Sequence, residues 1–303
     1  MSKFSAIYKE LYNQKDLQIF KNFCVVNYTT FHIGGKVKLF VKVNSLFALN
    51  KTIQTCNKYK VHWFCIGKGS NLLISNKTQN IVFIYLAQNF DYCKLNKKTI
   101  TVGAATTLFN VNAFAVKNSL TGLEWSYGIP GSMGGAVVMN AGCFGGEIKD
   151  VVQKVYYTDG YKEFCITNKY INFKYRHSFF TDKPYVITKV VLKLNKGLSE
   201  TIWLNCLRNF DKKKSLQPYD KPSAGSVFKK TTDFSAPILI EKAGLKGLKI
   251  GDAQVSTKHC GFIVNNNKAK SRQVFKLITK IKKTIYKKFG IILHTEILII
   301  GEK

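Results

Sequence analysis

Residues 127–142 read YGIPGSMGGAVVMNAG. Glycine stands at 128, 131, 134, 135 and 142, Pro130 has no N–H to donate, and no side chain in the stretch is charged. Such a ribbon strips side chains from a long piece of main chain. Two readings follow from that alone. The ribbon is either a bed on which a flat or extended ligand lies against bare backbone, or a buried crossover between packed layers, where glycine relieves crowding.

A second glycine-bearing stretch, IGKGSNLLIS (66–75), follows the apolar run VHWFCIG (61–67). Gly67 and Gly69 allow close backbone approach, successive N–H groups can form an anion-binding nest, and Ser70 and Asn71 add side-chain donors. Gly67-x-Gly69 is half of a dinucleotide fingerprint, but the third glycine is missing and NLLIS makes a poor helix start, so a Rossmann site does not fit. Alone, the segment is equally a tight turn. Two such stretches in one chain point together to a large phosphate-bearing cofactor.

The rest of the chain supplies an α+β frame. KVKLFVKV (36–43) alternates with the period of a half-buried strand. A helix to about 58, strands near 61–67, 80–86 and 98–103, a helix near 107–118 and strands near 151–158 and 185–194 complete the first part. A boundary is expected at NKGLSE (195–200). Beyond it come a helix over 199–213, short strands at 225–229 and 260–264, and a helix over 271–289. In that last helix Val274, Phe275, Ile278, Ile281, Ile285 and Phe289 recur at helical spacing, and Gly290 is placed to cap it. IILHTEILII (291–300) reads as a C-terminal strand. Residues 1–20 read as a short amphipathic helix, giving the divisions 1–20, 21–195 and 196–303.

With 303 residues, 46% hydrophobic and 13% aromatic, the chain has ample material for a packed core. Its formal charge of +30 raises nucleic acid or an anionic membrane surface as a partner. The basic residues are spread along the chain, nearly all are lysine, and no aromatic-interleaved RNA-binding motif occurs. Drift of the coding sequence toward A and T explains that pattern, so no specific nucleic acid is expected. The positive surface also suits an anionic small-molecule substrate. Eight cysteines without a Cys-x-x-Cys pair argue against a disulfide framework or a zinc knuckle. No metal site, no signal peptide and no membrane span is expected, and the protein reads as soluble, cytoplasmic and monomeric.

Three further places hold candidate chemistry: KYRHSFF (174–180), PSAGSVFKK (222–230) and HTEI (294–297). Arg176 is one of three arginines, and a guanidinium offers a planar fork for a carboxylate that lysine cannot imitate. Ser226 follows Gly225 and could face a pocket. Glu296 stands in an apolar segment, where a carboxylate is either exposed or partnered. Each also has a plainer reading: a surface ion pair, a capping serine, a solvent-facing glutamate.

In this order the segments resemble the UDP-N-acetylenolpyruvoylglucosamine reductase family, in its shorter class. The matching stretches are NYTTFHIGG (27–35), IGKGSNLLIS, GLEWSYGIPGSMGGAVVMNAGCFGGEI (122–148), YRHSFF, PSAGSVFK and LIEKAGLKGLKIGDAQVSTKHCGFIVN (239–265). The resemblance implies a vanillyl-alcohol-oxidase-type FAD-binding region of two α+β subdomains over 21–195 and a substrate-binding α+β domain over 196–303. It implies non-covalent FAD held by Gly67, Gly69, Ser70, Asn71, Leu72, Gly128, Ile129, Pro130, Gly131, Ser132, Gly134, Gly135, Asn140 and Gly142. NADPH is the implied co-substrate and a UDP-sugar enolpyruvate the implied substrate. The family's catalytic positions fall on Arg176, Ser226 and Glu296, with hydride passing from flavin to the enolpyruvyl group and Ser226 supplying the proton. Thr295 stands where the family usually has proline, Asp252 and Gly261 where it usually has glycine and asparagine, and the sequence after FK lacks the usual Asn-Pro. Two other readings compete: an oxidase with FAD tethered through a histidine or cysteine, for which Cys143 is the nearest candidate, and a non-catalytic nucleic-acid-binding protein.

Overall fold

The computed structural model describes residues 2–230 and 234–302. The chain forms two compact units, each with its own hydrophobic core. The first comprises the N-terminal residues to Phe23, Lys38–Lys68 and Asn80–Lys212; the second comprises Cys24–Val37, Gly69–Gln79 and the residues from Lys213 onward. A single cut at 195 would leave 24–37 and 69–79 with the N-terminal part. They join the second unit because Phe31, Ile33 and Leu73 are buried in its core.

In the first unit, a four-stranded sheet runs in the order Leu17–Cys24, Lys36–Val43, Gln79–Leu86, Trp63–Ile66. Trp63–Ile66 lies parallel to Gln79–Leu86, with Ile66 opposite Tyr85. The helix Leu46–Lys58, between Lys36–Val43 and Trp63–Ile66, starts on Ser45, whose hydroxyl accepts the Ala48 N–H, and buries Leu49, Ile53 and Cys56. A five-stranded antiparallel sheet follows, ordered Glu163–Thr167, Val152–Thr158, Val186–Lys193, Thr99–Gly103, Cys93–Asn96. Val155, Val190, Val102 and Ile100 point from it into a core shared with the helices Leu108–Lys117 and Met133–Val138.

The helix expected over 1–20 is shorter. It spans Lys3–Leu11, and Leu17–Cys24 is the edge strand of the first sheet. Asp16 takes a left-handed backbone, φ 60°, which ends any helical continuation. The helix is anchored at Glu10, whose carboxylate accepts from Lys51, Thr55, Lys58 and Tyr59. The Lys58 hydrogen bond leads the effects that hold its carboxyl down at about 2, against burial, with Lys51 and both lysine charges adding to it. Its native value lies below the ordinary 4.5, so this contribution is fully present above pH 4.5 and disappears as pH falls toward about 2. Glu10→Gln is expected to cost about 1–2 kcal/mol at pH 7, discounted because Lys58 is largely exposed. In thermal melts at pH 7 and near the acid end, the gap from wild type closes on acidification; a constant gap would contradict this.

The second unit carries an antiparallel sheet ordered Ser223–Ser226, Phe262–Asn265, Ala253–Val255, Lys249–Ile250, with the helices Ala236–Lys242 and Ser271–Phe289. Val274, Leu277, Ile278, Ile281 and Ile285 form the buried stripe of the long helix, while Phe289 is exposed. Gly290 caps it at φ 68°, donating its N–H to Tyr286 O. The C-terminal run forms a strand only over Leu298–Ile300, parallel to Leu72–Ile74. Its earlier part is irregular because it changes partners: His294 and Glu296 bond to the 227–229 backbone, and the chain then crosses to Asn71 and Leu72.

Among the described residues no helix is long and apolar enough to cross a membrane, and no group of three or more His, Cys, Asp or Glu side chains is placed to hold a metal ion. The cysteines are free thiols.

Candidate active site

In the first unit, strand ends and the glycine ribbon meet at one cleft, lined by Ile66–Lys68, Ala104–Ala105, Ser132, Gly134–Gly135 and Tyr185–Ile187, among others. It encloses ≈ 100 Å³, below the ~300 Å³ of a pocket that swallows a ligand whole. A ligand would therefore lie across it. No carboxylate lines it, and Lys68 stands exposed at its side.

The ribbon's glycines divide between the two readings. Gly134 serves packing: a Cβ there would sit 3.1 Å from Ala104 Cβ, and its N–H donates to Ala104 O at 2.9 Å. Gly135, one residue on, is exposed and presents bare backbone to the cleft. Gly67 belongs to a close approach, since a Cβ there would lie 2.3 Å from the buried Ser132 Oγ. Gly128 turns the chain at φ 78°, Pro130 is exposed, and Gly131 O accepts the Leu108 N–H. Ile129 packs against the core of the unit.

Two expected contacts acquire different duties. Asn140 is fully buried at φ 40°, and its amide donates to Glu147 Oε2 at 3.0 Å and Lys174 O at 3.1 Å while accepting from the Lys149 N–H at 3.1 Å. Its side chain is thus committed to the protein. Gly142 pairs with Glu147 and accepts from Arg176 Nη2 at 3.1 Å. Both ends of that link lie in the first unit.

A cleft with glycine and alanine along one wall, and Lys68 as the charged residue in its lining, fits a planar cofactor laid on backbone. The thiol in its lining, Cys65, is pushed by burial up to about 12, so it is a neutral thiol at neutral pH and not a nucleophile poised for attachment. Cys143, the candidate tether, stands in the 142–147 hairpin and does not line the cleft.

The remainder of the 66–75 turn belongs to the second unit. Gly69 is at φ 61°, and a Cβ there would meet Tyr28 O at 2.1 Å and Thr29 Cα at 2.9 Å. Both neighbours are backbone and cannot swing aside. Gly69→Ala should therefore cost at least about 2 kcal/mol, read as a lowered melting temperature; an unchanged melt would contradict it. Ser70 is half-buried, and Leu72 is buried opposite Leu298. Asn71 donates its side-chain amide to Glu296 O at 3.1 Å and accepts the Leu298 N–H on its own carbonyl at 2.9 Å. Sequence reading missed this brace. The signal was present in two short apolar runs, LLI and LII, of a length suited to pairing.

Ser226 and Glu296 are brought together by the backbone of the second unit. Glu296 N–H donates to Val227 O and Lys229 N–H to His294 O, both at 2.8 Å, with Phe228 opposite Thr295. Because these bonds use residues 294 and 296, a residue lacking an N–H at 295 would make the same pairing. Threonine in place of the family's proline leaves this geometry intact. Gly225, at φ 76°, lies in a register shift between Ser223 and Ser226 and re-aims the chain just before the serine. Thr30 holds the same strand through its hydroxyl on Ser223 O, 2.7 Å, which gives the 27–35 stretch its place. Gly261 is sterically fixed: a Cβ would lie 2.9 Å from both Pro237 and His259, and its carbonyl accepts the Val227 N–H.

Arg176 sits in the first unit at the tip of a turn closed by reciprocal bonds between Lys174 and His177. Its backbone is left-handed, φ 51°, and its guanidinium lies 4.9 Å from the Tyr175 ring centroid.

Comparison with known proteins agrees with this architecture. A FAD binding domain model matches residues 37–161, and a model of the UDP-N-acetylenolpyruvoylglucosamine reductase C-terminal domain matches 217–300. A relative from Bacillus cereus (strain ATCC 14579), named UDP-N-acetylenolpyruvoylglucosamine reductase 1, is 39% identical over 280 residues, covering 91% of this chain and 93% of its own. The Bacillus subtilis (strain 168) reductase is 38% identical over 298 residues, covering 97% and 98%. The crystal structure of the reductase from Thermus caldophilus superposes with a TM-score of 0.80 at 30% identity, over 94% of this chain and 99% of that one. These matches define a flavoprotein with an FAD-binding domain and a C-terminal α+β domain. Within that class, the chain belongs to the UDP-N-acetylenolpyruvoylglucosamine reductase family.

Proposed function

We propose that this chain reduces UDP-N-acetylglucosamine enolpyruvate to UDP-N-acetylmuramate, a step of peptidoglycan precursor synthesis, using NADPH and non-covalent FAD. The observation that carries the reading is the backbone pairing that seats Glu296 beside Val227, next to Ser226. The FAD region is assigned to 21–195 and the substrate region to 196–303. The protein is assigned to the cytoplasm as a monomer.

Gly67, Ser132 and Gly135 offer the uncharged bed for the cofactor. Gly128, Ile129, Pro130 and Gly131 shape the approach to it, and Gly69, Ser70, Asn71 and Leu72 set the turn that follows. Bound FAD supplies hydride equivalents taken from NADPH. On the substrate, negative charge then develops beside the carboxylate, and Arg176 is the cation assigned to stabilise it. Ser226 Oγ–H is the proton donor to that carbon, completing addition of a hydride and a proton across the double bond. Glu296, fixed through its N–H and carbonyl, orients the groups around the donor.

The test is substrate-dependent oxidation of NADPH by the FAD-loaded protein without oxygen. Equimolar consumption of NADPH and formation of UDP-N-acetylmuramate is expected. NADPH oxidation that ignores the enolpyruvyl sugar nucleotide would refute the proposal.

A further inference from the structure

A left-handed backbone is disfavoured at a residue with a Cβ, so the turn carrying Arg176, at φ 51°, must be held by its surroundings. Lys174 and His177 close it from within. Asn140 holds it from outside. One side-chain nitrogen donates to Lys174 O, two residues before the arginine, and to Glu147 Oε2, while Oδ1 receives the Lys149 N–H. This single buried amide ties the end of the glycine ribbon, the 147–149 corner and the arginine turn together. The guanidinium itself donates to Gly142 O, directly opposite Glu147 in the short hairpin. A Cβ at 142 would stand 2.7 Å from Glu147 Cγ and 2.8 Å from Gly146 O, so only glycine lets the carboxylate's stem come this close.

We infer that Asn140 and Glu147 are positioning residues for Arg176, a reading that rests on the role given to Arg176 above. Burial acts to raise the Glu147 carboxyl, but the Lys149 and Asn140 hydrogen bonds and the charges of Lys149 and Arg176 outweigh it, and the group stays ionised. Its charge is shared. Lys149 Nζ lies 2.6 Å from Glu147 Oε2, so the carboxylate acts on the guanidinium by charge across the hairpin while Lys149 takes up much of its charge. The ribbon's C-terminal end thereby becomes part of the support for a residue 34 positions further along the chain.

The test measures the two half-reactions separately on FAD-loaded protein. Glu147→Gln and Asn140→Ser are expected to keep FAD and the rate of reduction by NADPH and to slow reoxidation by the enolpyruvyl substrate by about 10- to 100-fold, with a lowered melting temperature in Asn140→Ser because its buried partners lose their hydrogen bonds. In an Arg176→Lys background, Glu147→Gln should add less than about threefold, because both changes remove one shared interaction. A wild-type reoxidation rate in Glu147→Gln, with Arg176→Lys slow, overturns the positioning role alone. A wild-type rate in Arg176→Ala overturns the role of Arg176 itself. If Glu147→Gln does not fold, Glu147→Asp, which keeps the charge, is measured in its place. Failure of that variant to fold also overturns the inference, since the carboxylate would then be structural.

Discussion

Replacing Ser226 by alanine is expected to leave reduction of the bound flavin by NADPH within about twofold of wild type, while reoxidation by the enolpyruvyl substrate falls by about 10³-fold, within the range of a lost general acid. The asymmetry follows from the position of the residue. The Oγ makes a long bond, 3.4 Å, to Phe228 O, and the side chain is half-buried. Its removal leaves the pairing of 226–229 with 294–296 in place, because that pairing is built from main-chain groups. The melting temperature should hardly move. Equal loss in both half-reactions would show that Ser226 is structural or contacts the cofactor.

Arg176→Ala is the second large effect. Loss of a fixed cation opposite developing negative charge should slow substrate reduction by about 10²–10³-fold. The substrate KM should rise as well, since in the proposed role the same guanidinium would also meet the ground-state carboxylate. Arg176→Lys should recover little of this, because an ammonium offers one point charge where the guanidinium offers a planar fork. Rates for NADPH reduction of the flavin and for substrate-driven reoxidation, measured on both variants, check the expectation. Full recovery by lysine would mean that charge alone matters at 176.

The frame was legible in the sequence wherever burial imposed a period. The Ser271–Phe289 helix and the Lys36–Val43 strand stand at the expected residues: one face of the helix is buried and the other solvated, and in the strand Val37, Leu39, Val41 and Val43 are buried while Lys36, Lys38 and Lys42 are exposed or half-buried. The N-terminal segment misled because Leu17–Cys24 is an edge strand with most positions partly exposed, so its alternation is weak. The C-terminal run misled for another reason. Its apolar residues serve two different partners, and no local pattern records where a chain switches partner.

For the site, residue types and order carried the reading of Arg176, Ser226 and Glu296 through the resemblance, and the structure supplies their settings. Glycine alone left the ribbon open between packing and ligand contact, and adjacent residues in fact do each: Gly134 packs on Ala104 while Gly135 is exposed to the cleft. Asn140 was beyond sequence reasoning. Its partners lie at 147, 149 and 174, and an asparagine next to glycine reads equally well as a ligand contact or as a knot in the fold.

The most direct measurement is the visible absorption of the purified, FAD-loaded protein under anaerobic conditions, followed through addition of NADPH and then of UDP-N-acetylglucosamine enolpyruvate. The flavin band should bleach with NADPH and return in full with the sugar nucleotide, with UDP-N-acetylmuramate formed in equal amount. A protein that takes up no FAD, or a bleached flavin that the enolpyruvyl substrate leaves bleached, would contradict the account.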